Sequence, residues 1–437
     1  MSVDLAPLHR AHVQTLMQRS AAALERVGRE HLLIAAGATR YEFLDDRPYP
    51  FRINPHFKAW LPLDEHPECW LKITPGEKPH LFYFQPDDFW HMPPADPAGY
   101  WTEQCTISII RDPGELAALL PPPAQCAIVG EPEAAVGAWV PDNPPALIDY
   151  LHFHRAFKTP YEIELMRRAS RRAVAGHRAA EAAFRAGASE HGVHQAYLAA
   201  SGHGDLDLPY GSIVCLNEHA AILHYQHRDR VAPVRHRSLL IDAGASCAGY
   251  AADITRTYSG ESGDFAALLA GVDRVQRQLV DGVRPGRDYR DLHLDCHRQL
   301  SALLIEAGVI RCGLDEALAA GLSSTFFPHG LGHLIGLQVH DVAGFAASED
   351  GGRIERPEGH PFLRLTRPLA PGMAVTIEPG LYFIESLLAR LRAGDHARHI
   401  DWTRVDALAP CGGIRIEDDV VCTEADPENL SRDAFAA

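Results

Sequence analysis

Hard oxygen donors and a single imidazole recur in five separated stretches of this chain, each set among apolar neighbours. The stretches are Leu240-Ile241-Asp242-Ala243-Gly244, Ala252-Asp253-Ile254-Thr255-Arg256, His329-Gly330-Leu331-Gly332-His333, Thr376-Ile377-Glu378-Pro379-Gly380 and Arg415-Ile416-Glu417-Asp418. Carboxylates with one imidazole suit a pair of divalent cations that activate a water molecule. Burying a carboxylate in an apolar run is expensive unless something pairs with it.

Ser238 to Ala243 and Tyr250 to Tyr258 are strand-like, and Gly244 to Gly249 between them has turn chemistry. Asp242 and Asp253 are then expected to face each other across an antiparallel ladder, with Cβ atoms roughly 4.5–5.5 Å apart. Two bare carboxylates that close repel, and a cation pair removes the cost. A solvated hairpin with two surface aspartates is the plain alternative. From Phe326 to Asp341 the histidines His329, His333 and His340 stand among Gly330, Gly332 and Gly336. His329 and His333 have i, i+4 spacing, but the glycines argue against a regular helix and for close approach of backbone to a cluster or substrate. No P-loop, H-E-x-x-H or G-x-S-x-G occurs, and Gly330-x-Gly332 with Gly336 misses the dinucleotide fingerprint by one residue. Ala374 to Tyr382 reads as a buried strand ending in a Pro-Gly turn, and Ile414 to Val421 as an alternating strand. Either glutamate alone is as well explained by an ion pair as by a metal. Together the four carboxylates balance two divalent ions, and a neutral histidine adds a ligand without charge.

Such donors need elements to hold them. The clearest helix start is Thr159-Pro160-Tyr161-Glu162, with Thr159 as cap, Pro160 in the first helical position and Glu162 completing a capping box. Helical spacing then runs from Ile163 to Phe184 until Gly187 stops it. Just upstream, Pro121-Pro122-Pro123 and Pro141 to Pro145 mark connections, so a boundary is expected near residue 155. Residues 1–155 alternate helix-like His9 to Val27 with strand-like Leu32 to Ile34, Trp70 to Ile73 and Leu81 to Phe84, which suggests a small α/β domain without a catalytic motif. Residues 156–437 hold every metal-ligand candidate.

At 437 residues two domains are the default, and a net charge of −16 argues against a nucleic-acid or anionic-membrane partner. Met1 to Ala22 carries Asp4, His9, Arg10 and His12 and lacks the apolar core of a signal peptide. No window approaches the roughly 18 apolar residues that span a membrane. The nine cysteines include no close pair and read as reduced thiols of a cytoplasmic protein, Cys247 beside Asp242 among them.

The five ligand stretches, in this order, resemble the metallopeptidase family with the pita-bread fold, which includes methionine aminopeptidases, Xaa-Pro aminopeptidases and prolidases. The fold implied is an α/β N-terminal domain followed by an α+β pita-bread catalytic domain. Phe43 to Phe51, Asn54 to Trp60, Asn217 to Tyr225 and Tyr382 to Leu388 resemble the bacterial prolidase branch over nearly its full length.

The resemblance implies Asp242, Asp253, His333, Glu378 and Glu417 as ligands of two metal ions, commonly Mn²⁺. Asp253 and Glu417 would bridge both ions, Asp242 would belong to one, and His333 and Glu378 to the other. It also implies His224, His329, His340 and Arg415 around the substrate, with Tyr210 lining the pocket. Arg367 is a candidate anchor for a dipeptide's carboxylate, because a guanidinium binds it bidentately. The implied reaction is attack of a metal-bridging hydroxide on an Xaa-Pro bond, with Glu378 as base and then acid. Organophosphorus triesters are a further implied substrate. A Xaa-Pro aminopeptidase shares the five ligands, and a pita-bread binding protein is the non-catalytic alternative, although such relatives typically lose ligands. A homodimer, with Asp45 of one subunit closing the other's pocket, completes what the resemblance implies.

Overall fold

Aromatic and branched residues alternate along His31–Ala35, Trp70–Ile73 and His80–Phe84, and all three are strands. With Thr106–Ile110 and Cys126–Val129 they make a five-stranded sheet. The three central strands pair antiparallel, and each edge strand joins its neighbour in parallel. Period-two alternation serves both faces. Leu32, Ile34, Leu71 and Leu81 enter one apolar cluster, while Leu33, Ala35, Trp70 and Phe82 enter the other. This computed structural model describes residues 3–437, so Met1 and Ser2 of the polar N-terminal stretch lie outside the described residues. The helix expected over His9 to Val27 spans Leu5–Val27, capped by the Asp4 side chain and closed by Gly28 at φ +61°. No helix among the described residues is long and apolar enough to cross a membrane.

The chain divides into two compact units. One comprises the described residues up to Leu165 with Ala346–Arg353, and the other Met166–Phe345 with Ile354–Ala437. The excursion Ala346–Arg353 falls within the stretch assigned from sequence to the second domain, yet it groups with the first unit. The capping box forms as expected: the Thr159 amide donates to Glu162 Oε2 at 2.7 Å, and the Glu162 amide to Thr159 Oγ1 at 3.5 Å. The helix it opens runs over Pro160–Arg185.

In the second unit, strands Ile213–Leu216, Ser238–Asp242 and Thr255–Ser259 form an antiparallel sheet with the second as its centre. Leu239 and Ile241 pack on Ala180, Phe184 and Tyr197 from the helices, whereas Leu240 faces the opposite cluster with Cys215 and Tyr382. Asp242 shares the parity of Leu240. The alternation therefore turns its carboxylate away from the helices and toward the side that holds Tyr382.

Two expectations about the strands need correction. The hairpin turn is the two-residue loop Ala248-Gly249, both at positive φ (47° and 82°), which centres the ladder one residue later than expected. Asp242 consequently pairs with Thr255, and Asp253 is its diagonal neighbour on the same face. The second correction concerns Pro379-Gly380, which is a break within a strand, not a turn. Ala374–Ile377 pairs with Asp418–Val421, and Gly380–Tyr382 resumes against Gly413–Arg415 in the same register. Proline has no N–H to give to a ladder, so the sheet opens there without reversing the chain.

Candidate active site

That break sets the geometry of the glutamates. With Ile377 opposite Asp418 and Gly380 opposite Arg415, Glu378 falls opposite Glu417. A bridge between Thr255 and Glu417 then joins the glutamate hairpin to the aspartate hairpin. The Asp253 amide adds a second tie, donating to Asp419 Oδ2 at 3.0 Å. His333 arrives on the glycine-rich stretch, which is irregular as expected. Its amide donates to Thr376 Oγ1 at 3.0 Å, and Leu334 bridges Val375. Gly332 has no room for a side chain: a Cβ there would lie 2.2 Å from the Thr376 carbonyl and 2.4 Å from the Tyr289 hydroxyl. Gly244 is as constrained, because a Cβ would meet Ala252 O at 2.1 Å and the Tyr210 ring at 2.6 Å.

The five candidate ligands converge in the second unit. One donor atom each from Asp253, His333 and Glu417 lies within 4.8 Å of the other two. His333 Nε2 is 3.6 Å from Asp253 Oδ2 and 3.8 Å from Glu378 Oε1. Its Nδ1 lies 3.0 Å from the Leu334 carbonyl, which can only accept. That bond assigns the proton to Nδ1 and turns the Nε2 lone pair toward the carboxylates. Asp242 sits beside them, with Oδ2 2.6 Å from Arg415 Nη2 and Oδ1 buried without a hydrogen-bond partner.

The electrostatics favour added positive charge. Burial pushes Glu417 well above the usual carboxylate range, and Asp253, Glu378 and Asp242 push it further. Burial likewise brings Glu378 up to about 7, against the pull of His333 and Arg415. Burial raises Asp242, and the Arg415 charge offsets only part of it. Asp253 alone is lowered, because His333 and Tyr210 outweigh its burial. The residues present fit a pair of divalent ions. Gaps of 3.6–3.8 Å between donors are too long for hydrogen bonds. They match two ligands that each stand about 2.0–2.2 Å from one ion.

The other site residues fall into distinct surroundings. Tyr210 donates to Asp253 Oδ1 at 2.6 Å. Arg415 is buried, donating to Asp242, to Tyr382 Oη at 2.9 Å and to Thr255 Oγ1 at 3.1 Å. Charge counting from sequence left out this guanidinium, which adds one positive charge inside the cluster. His329 holds both ring nitrogens in hydrogen bonds, Nδ1 to Gly330 O at 2.8 Å and Nε2 to Tyr382 Oη at 2.9 Å. Since Arg415 donates to the same hydroxyl, Tyr382 gives its own proton to His329 Nε2. Burial lowers the pKa of His329 to about 3. The His340 ring packs edge-on against His333 with centroids 4.4 Å apart, and desolvation lowers its pKa to about 4. His224 is exposed, and it lies near enough to both His329 and His340 to act on them electrostatically. Arg367 is buried, and burial brings its pKa down to about 10. Asp45 lies exposed in the first unit, where Oδ1 accepts from the Arg47 amide at 3.1 Å.

Several supporting residues had no motif to announce them. Thr255 Oγ1 donates to Glu417 Oε2 at 2.6 Å and so orients it. Buried Glu190 accepts from the Leu216 and Asp229 amides, His219 Nδ1 and Tyr225 Oη, all within 2.7–2.8 Å, and pins the segment that carries His224. Tyr382 and Asp419 lay inside quoted stretches, but only contact reveals their partners.

Residues 164–424 match the model of metallopeptidase family M24. The chain belongs to that family. Residues 7–153 match the Xaa-Pro dipeptidase N-terminal domain. The chain is 56% identical over 436 residues to the Xaa-Pro dipeptidase of Xanthomonas axonopodis pv. citri, covering 99% of both. It is 55% identical to that of Stenotrophomonas maltophilia, covering 99% of this chain and 98% of the other. Among solved structures it resembles Escherichia coli aminopeptidase P with the inhibitor Pro-Leu, at TM-score 0.71 and 25% identity, covering 97% and 95% of the two chains. Pseudomonas aeruginosa aminopeptidase PepP, at TM-score 0.69 and 24% identity over 95% and 93%, shares the fold. An α/β N-terminal domain followed by a pita-bread catalytic domain is thus the architecture of this chain.

Proposed function

We propose that this chain is a dinuclear-metal dipeptidase that hydrolyses Xaa-Pro dipeptides. The observation that carries the reading is the convergence of two buried carboxylates (Asp253, Glu417), two half-buried ones (Asp242, Glu378) and His333 in a chain similar over its whole length to Xaa-Pro dipeptidases. Asp242, Asp253, His333, Glu378 and Glu417 would hold two divalent ions, Mn²⁺ in the family resemblance. When bound, such ions supply Lewis acidity that makes water nucleophilic near neutral pH and polarises a carbonyl.

The protein's own groups then do the rest. Glu378 takes the attacking water's proton and hands it to the prolyl nitrogen, acting as base and then acid. His224 and His340 hold the substrate's carbonyl and termini, and His329 with Tyr382 and Arg415 orients donors toward the developing negative charge. Arg367 takes the terminal carboxylate bidentately. A tertiary prolyl amide brings no N–H, so a site without an acceptor there rejects ordinary dipeptides.

The test is hydrolysis of Gly-Pro, Leu-Pro and Leu-Pro-Gly by metal-stripped protein resupplied with Mn²⁺. Cleavage of the dipeptides alone, dependent on metal, is the expected result. Tripeptide cleavage would instead support an Xaa-Pro aminopeptidase, the reading favoured by the likeness to aminopeptidase P structures. The same chemistry extends to organophosphorus triesters, tested by metal-dependent release of their leaving group. A homodimer follows from the family resemblance and is tested by light scattering of the purified protein.

A further inference from the structure

A second buried cluster of titratable side chains lies in the second unit, outside the acidic site. His293 and His297 stand four residues apart on the helix Tyr289–Glu306 and so share a face. His360 comes to them from a loop. The three rings lie 4.6–4.7 Å apart, centroid to centroid. One nitrogen from each is within 4.8 Å of the other two.

Their hydrogen bonding is incomplete. His293 Nε2 meets His360 Nδ1 at 2.9 Å, and His297 Nδ1 meets Ser323 Oγ at 2.9 Å. His293 Nδ1 and His297 Nε2 are buried with no hydrogen-bond partner. Buried polar atoms rarely go unpaired, and two in one contact group of three imidazoles call for a reason. Nor is the group sealed off. A cavity of about 500 Å³ is lined by His297 and His360 together with Asp291, Asp295, Arg287 and Arg298, whose formal charges cancel, so an ion entering it would be held by the imidazoles.

We propose that His293, His297 and His360 form a separate site for one borderline transition-metal ion of the Zn²⁺ class, bound through one nitrogen of each ring. An all-imidazole donor set suits Zn²⁺, Co²⁺, Ni²⁺ or Cu²⁺ and disfavours Mn²⁺ or Mg²⁺, which prefer the oxygens of the acidic site. Three protein ligands leave a fourth position for water from the cavity. Burial holds His293 at about 2 and His297 at about 3, so both rings stay neutral, with a lone pair to give, at ordinary pH. Binding needs no net proton release, because each neutral ring keeps its proton on the nitrogen turned from the ion. Phe327 packs 4.9 Å from the His297 ring and 4.7 Å from that of His329, which puts a bound ion one aromatic ring away from the active site.

The test uses the full chain, stripped of metal, saturated with Mn²⁺ and then titrated with Co²⁺. Wild type should take up one Co²⁺ per chain with retention of Mn²⁺ and the intense visible absorption of a four-coordinate ion. His297→Ala should abolish that absorption. His360→Asn, at a half-buried loop position where folding is least at risk, should weaken Co²⁺ binding at least tenfold while leaving the urea midpoint in place. Asp253→Asn, which disables only the acidic site, should keep the absorption, so failure of the dipeptidase reading leaves this one standing. Co²⁺ uptake only by displacement of Mn²⁺, or an absorption that survives in both histidine variants, would overturn the proposal.

Discussion

The aspartate hairpin and the glutamate hairpin each deliver two carboxylates to one cluster, but they do it by different geometry. The first closes locally through Ala248-Gly249, which leaves Asp242 and Asp253 diagonal to each other. The second is closed through a long connection and sets Glu378 opposite Glu417. Charge compensation differs as well. Arg415 lies 2.6 Å from Asp242 but 4.0 Å from Glu417. Four carboxylates proposed to share a metal pair therefore contribute unequally to the metal-free chain: Asp242 is needed by a buried cation, whereas Glu417 adds like charge.

The largest effect should come from the glutamate side. Glu378→Gln removes the proposed proton acceptor and should lower kcat on Leu-Pro by about 10²- to 10⁴-fold with Mn²⁺ present. Turnover near wild type would remove Glu378 as the essential base. Next is the contrast in metal-free stability, read by urea unfolding. Asp242→Asn leaves a buried guanidinium short of its counter-ion and should destabilise by about 3 kcal/mol. Glu417→Gln relieves repulsion and should leave the midpoint unchanged or higher. The reverse ranking would mean that Arg415 serves Glu417 first. A smaller effect is expected from Tyr382→Phe, which cuts the Arg415–Tyr382–His329 chain. Loss of about one hydrogen bond, about 1.4 kcal/mol, should lower kcat about tenfold; an unaltered kcat would place that chain outside catalysis. The smallest is Ala248→Gly at the left-handed turn position. Relief of about 1 kcal/mol of strain is offset by glycine's greater freedom when unfolded, for a net change under about 1 kcal/mol. A loss above about 2 kcal/mol would contradict the two-residue turn.

Much of this is legible in the sequence. The Thr159–Glu162 capping box, the first-unit strands and the apolar run before Asp242 depend on neighbours a few residues apart, and those neighbours are written next to them. Turn chemistry around Gly249 announced a hairpin, yet not its centre. A loop of six turn-prone residues allows several registers, and the choice rests on which two residues take positive φ. Pro379-Gly380 misled for the same reason. A proline that breaks a ladder and a proline that ends a strand look alike until the partner strand is seen.

By itself, the sequence determined the identity of the donors, because oxygen and imidazole chemistry resides in residue type, and it determined the strands that flank the carboxylates, because alternation is local. Tertiary structure alone decided that Glu378 opposes Glu417, that Arg415 neutralises Asp242 and that Tyr382 hands its proton to His329. It alone assembled His293, His297 and His360, since a helix face and a distant loop share no pattern along the chain. Contacts of that kind are set by register and by packing between elements remote in sequence, where no short-range signal reaches.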